Sequence, residues 1–257
     1  MTAGLFDYLL ALGDDALVTA QRLGEWYASS PAMEEDIALA NIALDQLGAA
    51  RLLLSYAADV PDTALPTRPG GPLPVTERPL DEDALAYRRD DRQFRNALLV
   101  ELPNGDFAHA IVRLTLLSAY QVALYDRLAA GSDARLAGIA AKARKEVAYH
   151  LDHAGTWLLR LGDGTAESHR RAQAALDELW PYATELFTPL LGGPVDPATL
   201  REPWLATVAP LLAGATLTPP ADAPAPAGGR DGLHTEYLSY LLAEMQSLHR
   251  AHPGARW

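Results

Sequence analysis

The chain has 257 residues, with 21 Lys and Arg against 33 Asp and Glu, and a formal net charge of −12. At 49% hydrophobic and 21% charged it has a globular composition, not a disordered one. The absence of cysteine excludes disulfides, thiolate metal sites and a Cys nucleophile, and the acidic balance argues against nucleic acid as a partner, because tracking phosphates needs a basic face.

The opening residues Met1-Thr2-Ala3-Gly4-Leu5-Phe6-Asp7 lack the basic n-region of a signal peptide. No uninterrupted apolar run approaches the roughly 18–20 residues of a membrane span. A soluble, cytoplasmic chain with no membrane partner is therefore expected. Helical periodicity begins at about 14 and continues to 30, through Leu17, Val18, Gln21, Gly24 and Trp26, and Pro31 closes it. Glu34, Glu35 and Asp36 suit the start of a second helix, over 33–58. That helix is apolar over most of its circumference, which predicts burial on more than one side. Residues 61–80 hold six prolines and read as a surface connection. Helix is predicted again over 83–101, with Leu85, Phe94, Leu98 and Leu99 on its apolar side. Pro103-Asn104-Gly105 is a turn, and a long helix follows from Phe107 to about 130. Ser132 is the expected N-cap of a helix over 133–160, and Thr165 of one running to about Leu190 with a kink at Trp180-Pro181. Asp196-Pro197 opens a helix to about Leu212, 218–232 is a second proline-rich surface loop, and the last helix spans about 233–251. No segment alternates as a strand does, so the fold is predicted to be all-α and a single domain over 1–257. Two antiparallel long-helix pairs joined by a long crossover match the layout of a ferritin-like bundle, here with additional C-terminal helices.

A ferritin-like bundle that binds two irons carries Glu-x-x-His on two helices, because residues three apart share a face. No Glu-x-x-His occurs in the chain. The nearest cluster is Glu146, His150 and His153, spaced to share one face of the 133–160 helix, and it leaves open a mononuclear metal site in a stand-alone oxygenase. Asp106-x-x-His109 has the spacing but sits at a helix start. Gln93, Phe94, Arg95 and Asn96 lie in a dense polar run and are candidates to contact a ligand or partner; a solvated helix face is the plainer reading. His234 and Glu236, after a glycine-rich stretch, suit either interface contacts or a helix cap.

Several stretches together resemble one family: Gln21-Arg22-Leu23-Gly24-Glu25-Trp26, the run from Asp36 to Arg51, Arg92-Gln93-Phe94-Arg95-Asn96, Glu101-Leu102-Pro103-Asn104-Gly105-Asp106-Phe107-Ala108, Lys145-Glu146-Val147-Ala148-Tyr149-His150, Gly232-Leu233-His234-Thr235-Glu236 and Leu242-Ala243-Glu244-Met245-Gln246. In order and almost end to end, they are similar to the C subunit of the bacterial phenylacetyl-CoA epoxidase, the multicomponent ring oxygenase of aerobic phenylacetate degradation. The departure is the 61–80 insertion, which is longer than usual. The resemblance implies a ferritin-like structural subunit without a metal or other cofactor of its own. It would pair with the catalytic A subunit, which carries the di-iron centre, and act beside the other oxygenase components; self-association is left open. Against the catalytic pattern of that family, Gln21 falls at a helix-one Glu ligand, Gln46 and Ala49 at the first Glu-x-x-His, and Val147 and His150 at the second. The third-helix ligand position has no assigned counterpart. Trp26, Tyr27, Phe94, Trp157 and Trp257 are the aromatic candidates for an interface.

Overall fold

The computed structural model describes residues 2–60, 80–190, 192–221, 226–252 and 255. Among them there is no strand, and the chain is all-α. Four long helices carry the architecture: α1 (Thr2–Glu25), α2 (Met33–Asp59), α5 (Phe107–Ala129) and α6 (Ala134–Gly162). α1 packs along α2 and α5 along α6, and α2 also meets α6, so the two pairs close on one another. The crossover between the pairs carries two short helices, α3 (Glu82–Tyr87) and α4 (Leu98–Glu101). α7 (Ala166–Ala183) and α8 (Arg201–Gly214) cover α5 and α6, and α9 (Glu236–Met245) and α10 (Ser247–Ala251) complete the chain.

Helix starts follow the sequence where a short polar side chain meets the first free N–H groups. Asp106 accepts from His109 N at 3.1 Å, which makes Asp106-x-x-His109 a cap. At α6 the cap is Asp133, accepting from Arg135 N and Leu136 N at 3.0 and 2.9 Å, one residue beyond the expected Ser132. Thr165 caps α7 in a reciprocal pair with Ser168. Pro181 falls in the last turn of α7, and the chain passes into a 3-10 turn (Thr184–Phe187) without continuing as helix to Leu190. Trp180 and Trp204 pack with ring centroids 5.1 Å apart, and Trp204 Nε1 donates to Leu116 O at 2.9 Å, which ties α8 to α5 and α7.

Three further expectations change. α1 begins at Thr2, not at 14, because Asp14 and Asp15 lie mid-helix and are held in the core by arginines from elsewhere. The predicted helix over 83–101 is α3, a 3-10 turn (Asp91–Gln93), extended backbone at Phe94 and Ala97, and then α4. The last helix breaks at Gln246 into α9 and α10. The 61–80 loop, apart from Leu80, and Trp257 lie outside the described residues, while Gly229–Asp231 within 218–232 forms a 3-10 turn.

Among the described residues two helices, α2 and α5, each contain an 18-residue window apolar enough to pass as a membrane span, although neither is an uninterrupted apolar run. α5 is the central core helix, buried over 78% of that window. α2 is buried over only 39% of it, less than its all-round apolarity predicts.

Candidate functional site

Mid-bundle, three helices bring polar side chains into an otherwise apolar interior. Gln46 from α2 and Gln121 from α5 exchange amide hydrogen bonds, Gln46 Nε2 donating to Gln121 Oε1 at 2.9 Å and Gln121 Nε2 donating to Gln46 Oε1 at 3.2 Å. The second Gln46 N–H reaches His150 Nδ1 of α6 at 3.5 Å. An amide nitrogen only donates, so Nδ1 accepts and the imidazole proton sits on Nε2, 3.1 Å from Asp45 Oδ2. Gln46, Gln121 and His150 are 1–2% exposed, while Asp45 reaches solvent. Burial pushes the His150 pKa below its ordinary value, against the opposing pull of Asp45. The outcome is a neutral imidazole with both ring nitrogens satisfied.

Of the positions aligned with the catalytic pattern, the fold joins Gln46 to His150. Ala49 and Val147 lie in the apolar core. Gln21 does not join the cluster; it is half-buried in a groove between α1 and α2. Gln121 was unforeseen, and its only sequence signal is an amide within the apolar run of α5. Four carboxylates and two imidazoles make a di-iron site in bundles of this kind. Two amides, one imidazole and one flanking carboxylate do not fit it. The trio Glu146, His150 and His153 does not assemble as a mononuclear site either, because each member has its own partner. Glu146 pairs with Lys142, His153 Nε2 lies 3.2 Å from Glu35 Oε2, and His150 faces Asp45. Among the described residues, no three His, Asp or Glu side chains converge as metal ligands.

The second polar assembly is the irregular chain between α3 and α4. Extended backbone has no helix partners for its N–H groups, and a buried one must find them elsewhere. Here carboxylates from distant helices supply them. Asp14 Oδ2 accepts from Arg95 N at 2.8 Å, Asp15 Oδ1 from Ala97 N at 2.8 Å and Glu185 Oε2 from Leu98 N at 2.6 Å. Arg89 neutralises Asp14, its Nη1 donating to Oδ2 at 2.9 Å, and stacks 4.2 Å over the Phe94 ring. Arg230 grips Asp15 in a fork at 2.9 and 2.7 Å and donates to Arg95 O at 2.9 Å. Gln93, Phe94, Arg95 and Asn96 are all buried, so their contacts are internal to this chain: Asn96 Nδ2 donates to Glu101 Oε2 at 2.8 Å and Arg95 Nη1 to Phe94 O at 2.7 Å. His234 is internal too, with Nδ1 at 2.7 Å from Glu101 Oε2 and Nε2 at 3.1 Å from Phe94 O. Asp14, Asp15, Arg89, Glu101, Glu185 and Arg230 escaped sequence reasoning, because partners up to 215 residues apart leave no local pattern.

The sequence profile of the phenylacetic acid catabolic protein family, PaaA_PaaC, matches residues 1–257. The chain belongs to that family. A protein of Escherichia coli (strain K12), named as the C subunit of 1,2-phenylacetyl-CoA epoxidase, is 46% identical over 258 residues, covering 97% of this chain and 98% of its own.

Proposed function

We propose that this member of the family is the structural, non-catalytic subunit of a phenylacetyl-CoA epoxidase, and that it pairs with the di-iron A subunit and stabilises its active form. The observation that carries the reading is the amide-and-imidazole cluster of Gln46, Gln121 and His150, which fills the bundle midsection with mutually satisfied neutral groups. Carboxylates buried there without a metal would cost several kcal/mol each unless protonated. Amides at those places let the bundle close as an ordinary core and leave oxygen chemistry to the partner. The name of the Escherichia coli relative, a subunit of an epoxidase, supports the same assignment. On this reading Gln46, Ala49, Val147 and His150 stand at former ligand positions, with Gln121 the third-helix counterpart, and the chain works in the cytoplasm beside the other oxygenase components.

The test is co-expression with the A subunit, followed by sizing, metal analysis of each chain, and epoxidation of phenylacetyl-CoA with and without this chain. Expected are a stable complex, iron only in the A subunit, and activity that falls sharply when this chain is omitted. Near-stoichiometric iron in this chain alone, removed by His150→Ala, overturns the reading.

A further inference from the structure

Four segments far apart in sequence meet around a cavity of about 50 Å³: the first turns of α1, the extended run after Gln93, the chain that follows the 3-10 turn Thr184–Phe187, and the 3-10 turn Gly229–Asp231. Tyr8, Arg95, Pro189 and Arg230 line it, together with Asp7 and the exposed Asp231. Gly193 lies flat against the Tyr8 ring, so close that an added Cβ would stand 2.2 Å from Cδ2 and Cε2, which holds the ring in place. Arg230 spends Nη1 and Nη2 on Asp15, Ala11 O and Arg95 O. Its Nε finds no hydrogen-bond partner among the described residues, nor do the hydroxyls of Tyr8 and Tyr120. Arg230 is 7% exposed, Tyr8 0% and Tyr120 1%. The guanidinium acts electrostatically on both phenols, so all three groups share one neighbourhood. Burial pushes both phenol pKa values up, so each hydroxyl keeps a proton to donate.

We infer that this cavity is an internal water site, in which bound water accepts from Arg230 Nε and from the Tyr8 hydroxyl. At about 10–15 Å³ for each water, 50 Å³ holds about three. A buried donor left unmet loses its full hydration, and a buried ion pair is stabilising only when its remaining donors are satisfied. Water meets both conditions, since one molecule makes about three hydrogen bonds to groups of this kind. The lining charges exclude an ion as the natural occupant. Arg95 and Arg230 stand against Asp7 and Asp231, and Arg230 is already neutralised by Asp15 at 2.7 Å, so neither sign of charge is attracted. An apolar molecule would leave the donors unmet. The Asp15–Arg230 pair holds Ala97 N and Arg95 O, so the bound water completes the joint that fixes the crossover onto α1.

The experiment is a crystal structure of the full-length wild type at a resolution that shows water, with a second crystal soaked in sodium bromide, and melting temperatures of the wild type and Tyr8→Phe. Expected is water density at about 3 Å from both Arg230 Nε and the Tyr8 hydroxyl. Tyr8→Phe is expected to melt about 2–4 °C lower, because a hydroxyl bound to water loses a hydrogen bond when it is removed. A cavity without density overturns the inference. So does Tyr8→Phe melting at or above the wild type, because deleting a hydroxyl that has no partner costs nothing. An anomalous bromide peak in the cavity overturns water in favour of a halide site. If Tyr8→Phe does not fold, the wild-type density decides the question by itself.

Discussion

Gln46→Glu probes why the bundle centre holds amides. The substitution is nearly isosteric but removes both N–H donors, the one at 2.9 Å from Gln121 Oε1 and the one at 3.5 Å from His150 Nδ1. It leaves two buried acceptors unmet and adds a carboxylate where Gln46 is 1% exposed. At about 1–3 kcal/mol for each unsatisfied buried group, the expected loss is about 2–6 kcal/mol at pH 8, a fall in Tm on the order of 10 °C. In the wild type the His150 pKa is depressed below 6.5 by burial, so its contribution is fully present above that value and is lost as the pH falls through the lower folded value. In the variant the new carboxylate favours the imidazolium, so the deficit shrinks as the pH is lowered from 8 to 6. Urea unfolding of both proteins at the two pH values measures this. A loss under about 1 kcal/mol at pH 8, or a deficit that widens at pH 6, refutes the reasoning.

Arg230→Met leaves the Asp15 carboxylate buried with the Ala97 N–H but without its cation, and is expected to cost about 3–5 kcal/mol in urea unfolding. Adding Asp15→Asn should restore more than half of that, and a double variant no better than the single contradicts the pairing. Gly232 has φ +79°, and an added Cβ would stand 2.3 Å from Arg92 O. Gly232→Ala should therefore cost about 2 kcal/mol or more, and an unchanged melting temperature refutes the close approach. Burial, and then the hydrogen bond to Asp133 at 2.6 Å, push the Tyr56 pKa up to about 12. Its contribution is complete below the ordinary value of 10 and is lost as the pH rises toward 12, so Tyr56→Phe should flatten the alkaline decline in stability over that window, followed by circular dichroism.

Long periodic helices were legible from the sequence because one stripe of apolar residues at helical spacing needs no knowledge of its neighbours. α2, α5 and α6 begin and end within a few residues of expectation. The interior cluster was half legible: Gln46 and His150 come from residues set against a pattern, whereas Gln121 is one amide on a helix that offered no register. The run from Arg92 to Asn96 misled for a definite reason. Its polar residues are those of a surface helix, and only buried carboxylates on α1, α4 and the turn after α7 convert its second half, from Phe94 onward, into an internal extended segment.

The sequence by itself determined an all-α chain of two long-helix pairs joined by a crossover, and a shortage of metal ligands at their centre. Both follow from spacing and residue type, which are local. Only the tertiary structure decided where the charges near Asp14 and Asp15 find partners, which amides meet across the bundle, and which side of α2 stays uncovered. Those outcomes depend on distant segments competing for the same buried space, and a helix apolar on every side does not itself say which of its neighbours belong to its own chain.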